Sequence, residues 1–156
     1  MRLSEGAIKV KELVKLCVKK GMPAVAVTDT GNLFGALEFA LAAAGEGVQP
    51  IIGTILGITR PGPAVAPRGV PGRGMNTPDP LVLLCQSAAG YNNLMKLVSK
   101  AFLDSDPLSG PQVPLAALEG HTDGLIALTG GPQGSVGRLL SEGQKDAAVE
   151  VLQRLK

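Results

Sequence analysis

Asp29 stands directly after Ala24-Val25-Ala26-Val27-Thr28, a short apolar run that reads as a buried strand. Sites in parallel α/β proteins form at the carboxyl ends of strands, so a carboxylate there is a candidate for metal or acid–base work. It equally suits a cap on the turn Asp29-Thr30-Gly31-Asn32 ahead of a helix. His121, the single histidine, sits in Glu119-Gly120-His121-Thr122-Asp123, where a base and an orienting acid could meet. No activated serine or cysteine is suggested beside it, so an exposed loop histidine is the default reading. The run Thr129-Gly130-Gly131-Pro132-Gln133-Gly134-Ser135-Val136-Gly137 could cradle a phosphate on backbone N–H groups. It lacks the Lys of a P-loop and the spacing of a dinucleotide fingerprint, and a tight turn feeding a helix explains it as well. Glu5, Glu12, Glu46, Glu119, Glu142 and Glu150 fall at turns or polar helix positions, which gives no carboxylate pair for acid–base catalysis. Cys17 and Cys85 lie in apolar stretches and read as buried free thiols, with no Cys or His at ligand spacing from either.

The elements that must hold these residues alternate. Val10, Leu13, Val14 and Cys17 mark one face of a helix over 7–20, with Lys9, Lys11, Glu12, Lys15 and Lys19 on the remainder. That lysine stripe reads as a solvated face. Gly21 and Pro23 end the helix. A strand over 24–28 and the turn 29–32 follow. Asn32 is expected to cap a second helix over 33–45, with Leu33, Leu37 and Leu41 on its buried face. Residues 50–56 form a second strand, completing a βαβ unit. Prolines and glycines crowd 57–80, which is expected to be a mobile surface loop; Arg60, Arg68 and Arg73 make it basic. A third strand over 81–84 leads to Ser87 as the cap of a helix over 88–102. A short helix over 114–119, a strand over 124–128 and helices over 133–141 and 144–155 complete the pattern. Such alternation predicts an α/β fold with a mostly parallel sheet.

The bulk numbers exclude several classes. The 156 residues suit one domain, and 45% hydrophobic residues supply a core. No apolar run reaches the roughly 18 residues of a membrane span, and the first residues carry no secretory signal, so a soluble cytoplasmic protein is expected. A formal charge of +2 does not by itself imply nucleic-acid binding. Phe34, Phe39, Tyr91 and Phe102 fall in helical apolar patterns and are expected in the core rather than on a base-stacking surface.

Several stretches, taken in order, resemble a known family. They are Glu5-Gly6-Ala7-Ile8, Gly21 to Asp29, Asn32 to Phe39, Gln49-Pro50-Ile51-Ile52-Gly53, Leu81 to Leu84, Gly90 to Leu94, and Gly124 to Gly131 running on to Gly134, Val136, Gly137 and Arg138. Together they resemble the amino-terminal part of the PHP (polymerase and histidinol phosphatase) domain of bacterial DNA polymerase III alpha subunits. The likeness spans nearly the whole chain except 57–80. It implies a single partial PHP domain over 1–156, part of a distorted (β/α)7 barrel.

Active members of that family hold a metal cluster of His, Asp and Glu at the barrel mouth and hydrolyse phosphoesters. The resemblance places Thr30 where such members have a His after the Asp, Ile55 where they have a Glu, and Pro80 where they have a His. The family's H-x-H pair would stand before Glu5, ahead of the point where this sequence begins. Thr, Ile and Pro do not replace imidazole or carboxylate as ligands. Asp29 alone remains, so no metal, cofactor or catalytic residue is assigned. The resemblance therefore implies a structural and protein-interaction module of a DNA-directed DNA polymerase, a nucleotidyltransferase of DNA replication. Its expected partners are the other domains of the alpha subunit and the proofreading exonuclease subunit, with weak or no direct DNA binding and no membrane. The alternatives are a metal-dependent phosphoesterase of the PHP class and an anion-binding module built on residues 129–137.

Overall fold

The computed structural model describes residues 8–60, 77–105 and 110–156. Helix α1, Val10–Lys19, leads into strand β1, Ala24–Thr30, which is followed by helix α2, Ala36–Gly45, and strand β2, Gln49–Ile58. Strand β3, Asp79–Cys85, precedes the long helix α3, Ala88–Leu103. A 3-10 turn over Leu115–Leu118 and strand β4, Leu125–Leu128, come next. A second 3-10 turn, Gly131–Gln133, opens into helices α4, Ser135–Ser141, and α5, Lys145–Leu155. Ser87 caps α3 as its sequence position suggests, its hydroxyl accepting from the Gly90 N–H at 3.2 Å.

The four strands form one mixed sheet in the order β1-β2-β3-β4. Only β1 and β2 are parallel; β2 and β3, and β3 and β4, run antiparallel. The expectation of a mostly parallel sheet is thus corrected, and connectivity gives the reason. Parallel neighbours need a crossover, usually a helix, and α2 supplies one between β1 and β2. Strand β3 returns along β2 as an antiparallel neighbour, a pairing that needs no helical crossover. After β3 the chain crosses the sheet twice. It runs along α3 and comes back through residues 110–124, where Val113 bridges Ile58 and the Gly124 carbonyl accepts from the Gln86 N–H. Strand β4 therefore starts where β3 ended. The strands also reach further into 57–80 than expected, since Gly57 and Ile58 end β2 and Asp79 and Pro80 begin β3. Residues 61–76, the body of the expected loop, lie outside the described residues.

One face of the sheet carries the core. Leu56, Ile58, Leu81 and Leu83 pack there against Leu94, Leu97 and Ala101 of α3. A second cluster joins Val14 and Cys17 of α1 to Ala43 of α2 and Val48, and a third joins Val136 and Leu139 of α4 to Ala148 of α5. Helix α2 is rotated from its expected orientation. Ala36, Phe39 and Ala43 are buried, while Leu37 and Leu41 are 72% and 68% exposed. Of the four aromatics assigned to the core only Phe39 is buried; Phe34 and Phe102 are exposed at 81% and 56%, and Tyr91 is half-buried. Cys17 is buried and Cys85 only partly so, both as free thiols.

Candidate functional site

Strand register brings the sequence-marked positions together at one end of the sheet. Thr30 of β1 pairs with Ile55 of β2, and Pro80 of β3 pairs with Gly57, two residues further along. Side chains two residues apart on a strand share a face, and directly paired residues do too. Thr30, Ile55 and Pro80 therefore lie on one face, together with Val82, Leu84, Ile126 and Leu128. This is the face away from the core of α3, and these side chains are half-buried or exposed. The site end of this face is thus a row of apolar side chains with one hydroxyl.

Asp29 points the other way. It pairs with Thr54, whose side chain is fully buried on the helix-bearing face. The Asp29 carboxylate accepts from the Gly35 N–H at 3.3 Å. A Cβ on Gly35 would lie 2.9 Å from that carboxylate oxygen, so residue 35 must be small for the contact to form. The Thr54 hydroxyl reaches the carbonyls of Asp29 and Asn32 at 2.6 and 3.2 Å. Asn32 does not cap α2, whose cap position is Gly35; its side chain accepts from the Phe34 N–H and donates to the Thr30 carbonyl, closing a local turn. Asp29 and Thr30 themselves are the last residues of β1 rather than part of that turn. Of the two roles open to Asp29, this geometry matches the cap on the connection into α2. Among the described residues no three His, Cys, Asp or Glu side chains come together.

His121 follows the first 3-10 turn and borders an open groove along α3 with Asn92, Lys96 and Ser99. It is half-buried rather than exposed, and its Nδ1 is shielded without a hydrogen-bond partner. No Ser or Cys nucleophile borders that groove except Ser99, and neither Glu119 nor Asp123 is bonded to the imidazole.

The glycine run after β4 serves packing. Gly130 and Gly131 take positive φ values of 76° and 63°. A Cβ on Gly130 would come within 2.2 Å of the Pro80 carbonyl oxygen, so the turn is seated directly against the start of β3. Gly134 and Gly137 face equally close backbone, at Thr129 and Gly131. Helix α4 behind the run is seven residues long. Close backbone approach is what requires glycine at these positions.

The strongest polar constellation is one that sequence reasoning did not single out. Asp79, the residue before Pro80, is fully buried. Arg138 of α4 grips it with Nε at 2.9 and 3.1 Å from its two oxygens and Nη2 at 2.9 Å. Arg60, two residues past β2, adds Nε at 2.7 Å. The second fork of Arg138 reaches Glu142 at 2.9 Å. Hydrogen bonding to Asp79 raises the Arg138 pKa above its ordinary value, against the opposing effect of burial, and Glu142 adds to the rise. Burial pushes the Cys85 thiol pKa up. A buried carboxylate needs such partners. The available signal was a carboxylate directly ahead of an apolar strand, Asp79-Pro80-Leu81-Val82-Leu83-Leu84, which needs a cation if it is buried but does not say which one.

Against known proteins, the whole chain, residues 1–156, matches the model of the PHP domain. It is 42% identical over 150 residues to the DNA polymerase III subunit alpha of Caulobacter vibrioides, covering 96% of this chain and 13% of that protein. It is 37% identical over 141 residues to the Vibrio cholerae subunit, covering 90% of this chain and 11% of that one. The Mycobacterium tuberculosis subunit is 34% identical over 158 residues, covering 94% and 13%. The chain thus spans 11 to 13% of the length of these relatives. Match and motifs agree along the chain, and it belongs to the PHP domain family.

Proposed function

We propose that this chain is a scaffold and protein-contact element of a replicative DNA polymerase alpha subunit, forming one sector of a (β/α)7 PHP barrel without a phosphoesterase site of its own. The observation that carries the reading is the apolar row at the strand ends. Thr30, Ile55 and Pro80 share one sheet face, and the carboxylates next to them in sequence, Asp29 and Asp79, are turned to the other face, Asp29 bonded to the Gly35 N–H and Asp79 to Arg138 and Arg60. These residue types do not fit a cluster of His, Asp and Glu around a metal. Helices on one face of the sheet, and an opposite face that no helix of the described residues covers, suit a sector of a barrel wall, whose inner face closes on further strands. The relatives are polymerase subunits about eight times longer, as their coverage implies. The parent activity is accordingly DNA-directed DNA polymerisation, with catalytic carboxylates outside these residues. The partners are the remaining domains of the subunit and the proofreading exonuclease, DNA contact is weak, and the compartment is the cytoplasm. No helix of the described residues is long and apolar enough to cross a membrane.

Elemental analysis of the purified protein, with a phosphomonoester hydrolysis assay beside it, tests the assignment. The expected result is less than one zinc or manganese ion per chain and no hydrolysis above buffer. A stoichiometric metal that is lost on Asp29→Ala, together with hydrolysis, would establish the phosphoesterase alternative instead.

A further inference from the structure

We infer that the outer face of α1 is a docking surface for an acidic, amphipathic protein segment. Lys11, Lys15 and Lys19 recur at every fourth residue and so form one ridge along the helix. Lys9 and Lys20 stand at its two ends. All five are exposed, and among the described residues none is paired with a carboxylate. Like charges four residues apart repel, so the bare ridge destabilises its own helix slightly, and a ridge of carboxylates laid on it would relieve the repulsion. The concentration is local: five of the 15 basic residues lie within 9–20, with Glu12 the only acid there, although the whole chain carries only +2.

Two features favour protein over nucleic acid. Leu16 and Val18 are exposed on the same helix, and Met22 is exposed just beyond it. A phosphate backbone offers these side chains nothing, whereas apolar side chains of a protein segment would cover them. The cations are all lysines, point charges without the guanidinium fork that grips phosphate in two places, and no aromatic residue lies in α1 for a base to stack on. The surface therefore fits a partner that presents carboxylates in a row with apolar side chains beside them. The inference stands apart from the scaffold assignment, since it uses only α1.

The test is a fluorescence-anisotropy titration of the protein against a labelled helical peptide bearing Glu along one flank and Leu along the other, with labelled duplex DNA of mixed sequence run in parallel. Saturable peptide binding that weakens with salt is expected. The triple change Lys11→Glu, Lys15→Glu, Lys19→Glu should weaken it at least ~10-fold, on the scale of three exposed ion pairs. Leu16→Ser should weaken it about 3-fold, and Lys145→Glu with Lys156→Glu should leave it unchanged. A triple Lys→Gln variant, checked for native circular dichroism, guards against misfolding of the charge reversal. Absence of peptide binding, or a triple variant that binds as tightly as the wild type, would overturn the inference. So would DNA binding tighter than peptide binding at physiological salt and lost in the triple variant, which would assign the ridge to nucleic acid.

Discussion

Asp79 is one of two buried polar side chains among the described residues and accepts from two arginines. Arg138 reaches both of its oxygens, so the buried charge is satisfied even without Arg60. The two arginines should therefore differ in worth. Asp79→Ala leaves Arg138 without its main acceptor and should destabilise the protein by ~3–5 kcal/mol, the usual cost of breaking a buried pair. Arg60→Met removes a partner that is about one-third exposed, and its cost should stay within about 1 kcal/mol. Urea denaturation of both variants checks the ranking; equal losses would mean that Arg60 is as deeply committed as Arg138. Cys85 gives a prediction in pH. Its thiol pKa is raised by burial, so the folded state keeps its proton to a higher pH than the unfolded chain does. The thiol's contribution to stability is then full below the unfolded-state pKa and declines as pH rises through the folded one. Alkylation of native protein by iodoacetamide should accelerate only at a pH above that of the urea-unfolded protein; coincident pH profiles would contradict this. At this scale the sequence was legible where backbone geometry is local. Ser87 as a cap follows from short-range chemistry, whereas the Asp79–Arg138 contact joins residues 59 apart, and neither local neighbourhood names the partner.

Elements were legible in kind but not in orientation. Periodicity and the Gly and Pro stops located the helices and strands because those signals are read within a turn or two of chain. The direction of β3 is a matter of tertiary pairing, and composition is blind to it. Helix α2 is apolar on nearly every side, Ala-Leu-Glu-Phe-Ala-Leu-Ala-Ala-Ala-Gly, so two faces competed for burial. The face of Ala36, Phe39 and Ala43 won, since its small residues let the helix lie close to its neighbours around one large ring. The energetic consequence is testable. Phe39→Ala should cost ~3–5 kcal/mol, while Leu37→Gln and Leu41→Gln should each change stability by no more than about 0.5 kcal/mol. Thermal unfolding of the three variants would show whether the exposed leucines are as uncommitted as their 72% and 68% accessibility implies.

For the whole molecule, the sheet has two outer strands. Among the described residues the far edges of β1 and β4 pair with no further strand, and Ile126 and Leu128 of β4 are exposed. Unpaired edges recruit other strands, and exposed apolar faces seek cover. In solution the chain should therefore self-associate with rising concentration, and the amides of β1 and β4 should exchange faster than those of β2 and β3. Light scattering with hydrogen exchange tests both. A strict monomer with all four strands equally protected would mean that the open face and edges are closed by the chain itself.

Strand order in this sheet repeats chain order, and the consequence lies in how the protein is made. Among the described residues, β2, β3 and β4 each pair with the strand synthesised just before them. Loop-closure entropy stays small at every step. Growth from the ribosome can then add the sheet one strand at a time, β2 onto β1, β3 onto β2, β4 onto β3, with each finished edge serving as the template for the next arrival. The edge that invites association in the free chain is, on this view, the growing end of an assembly line that runs at the pace of translation.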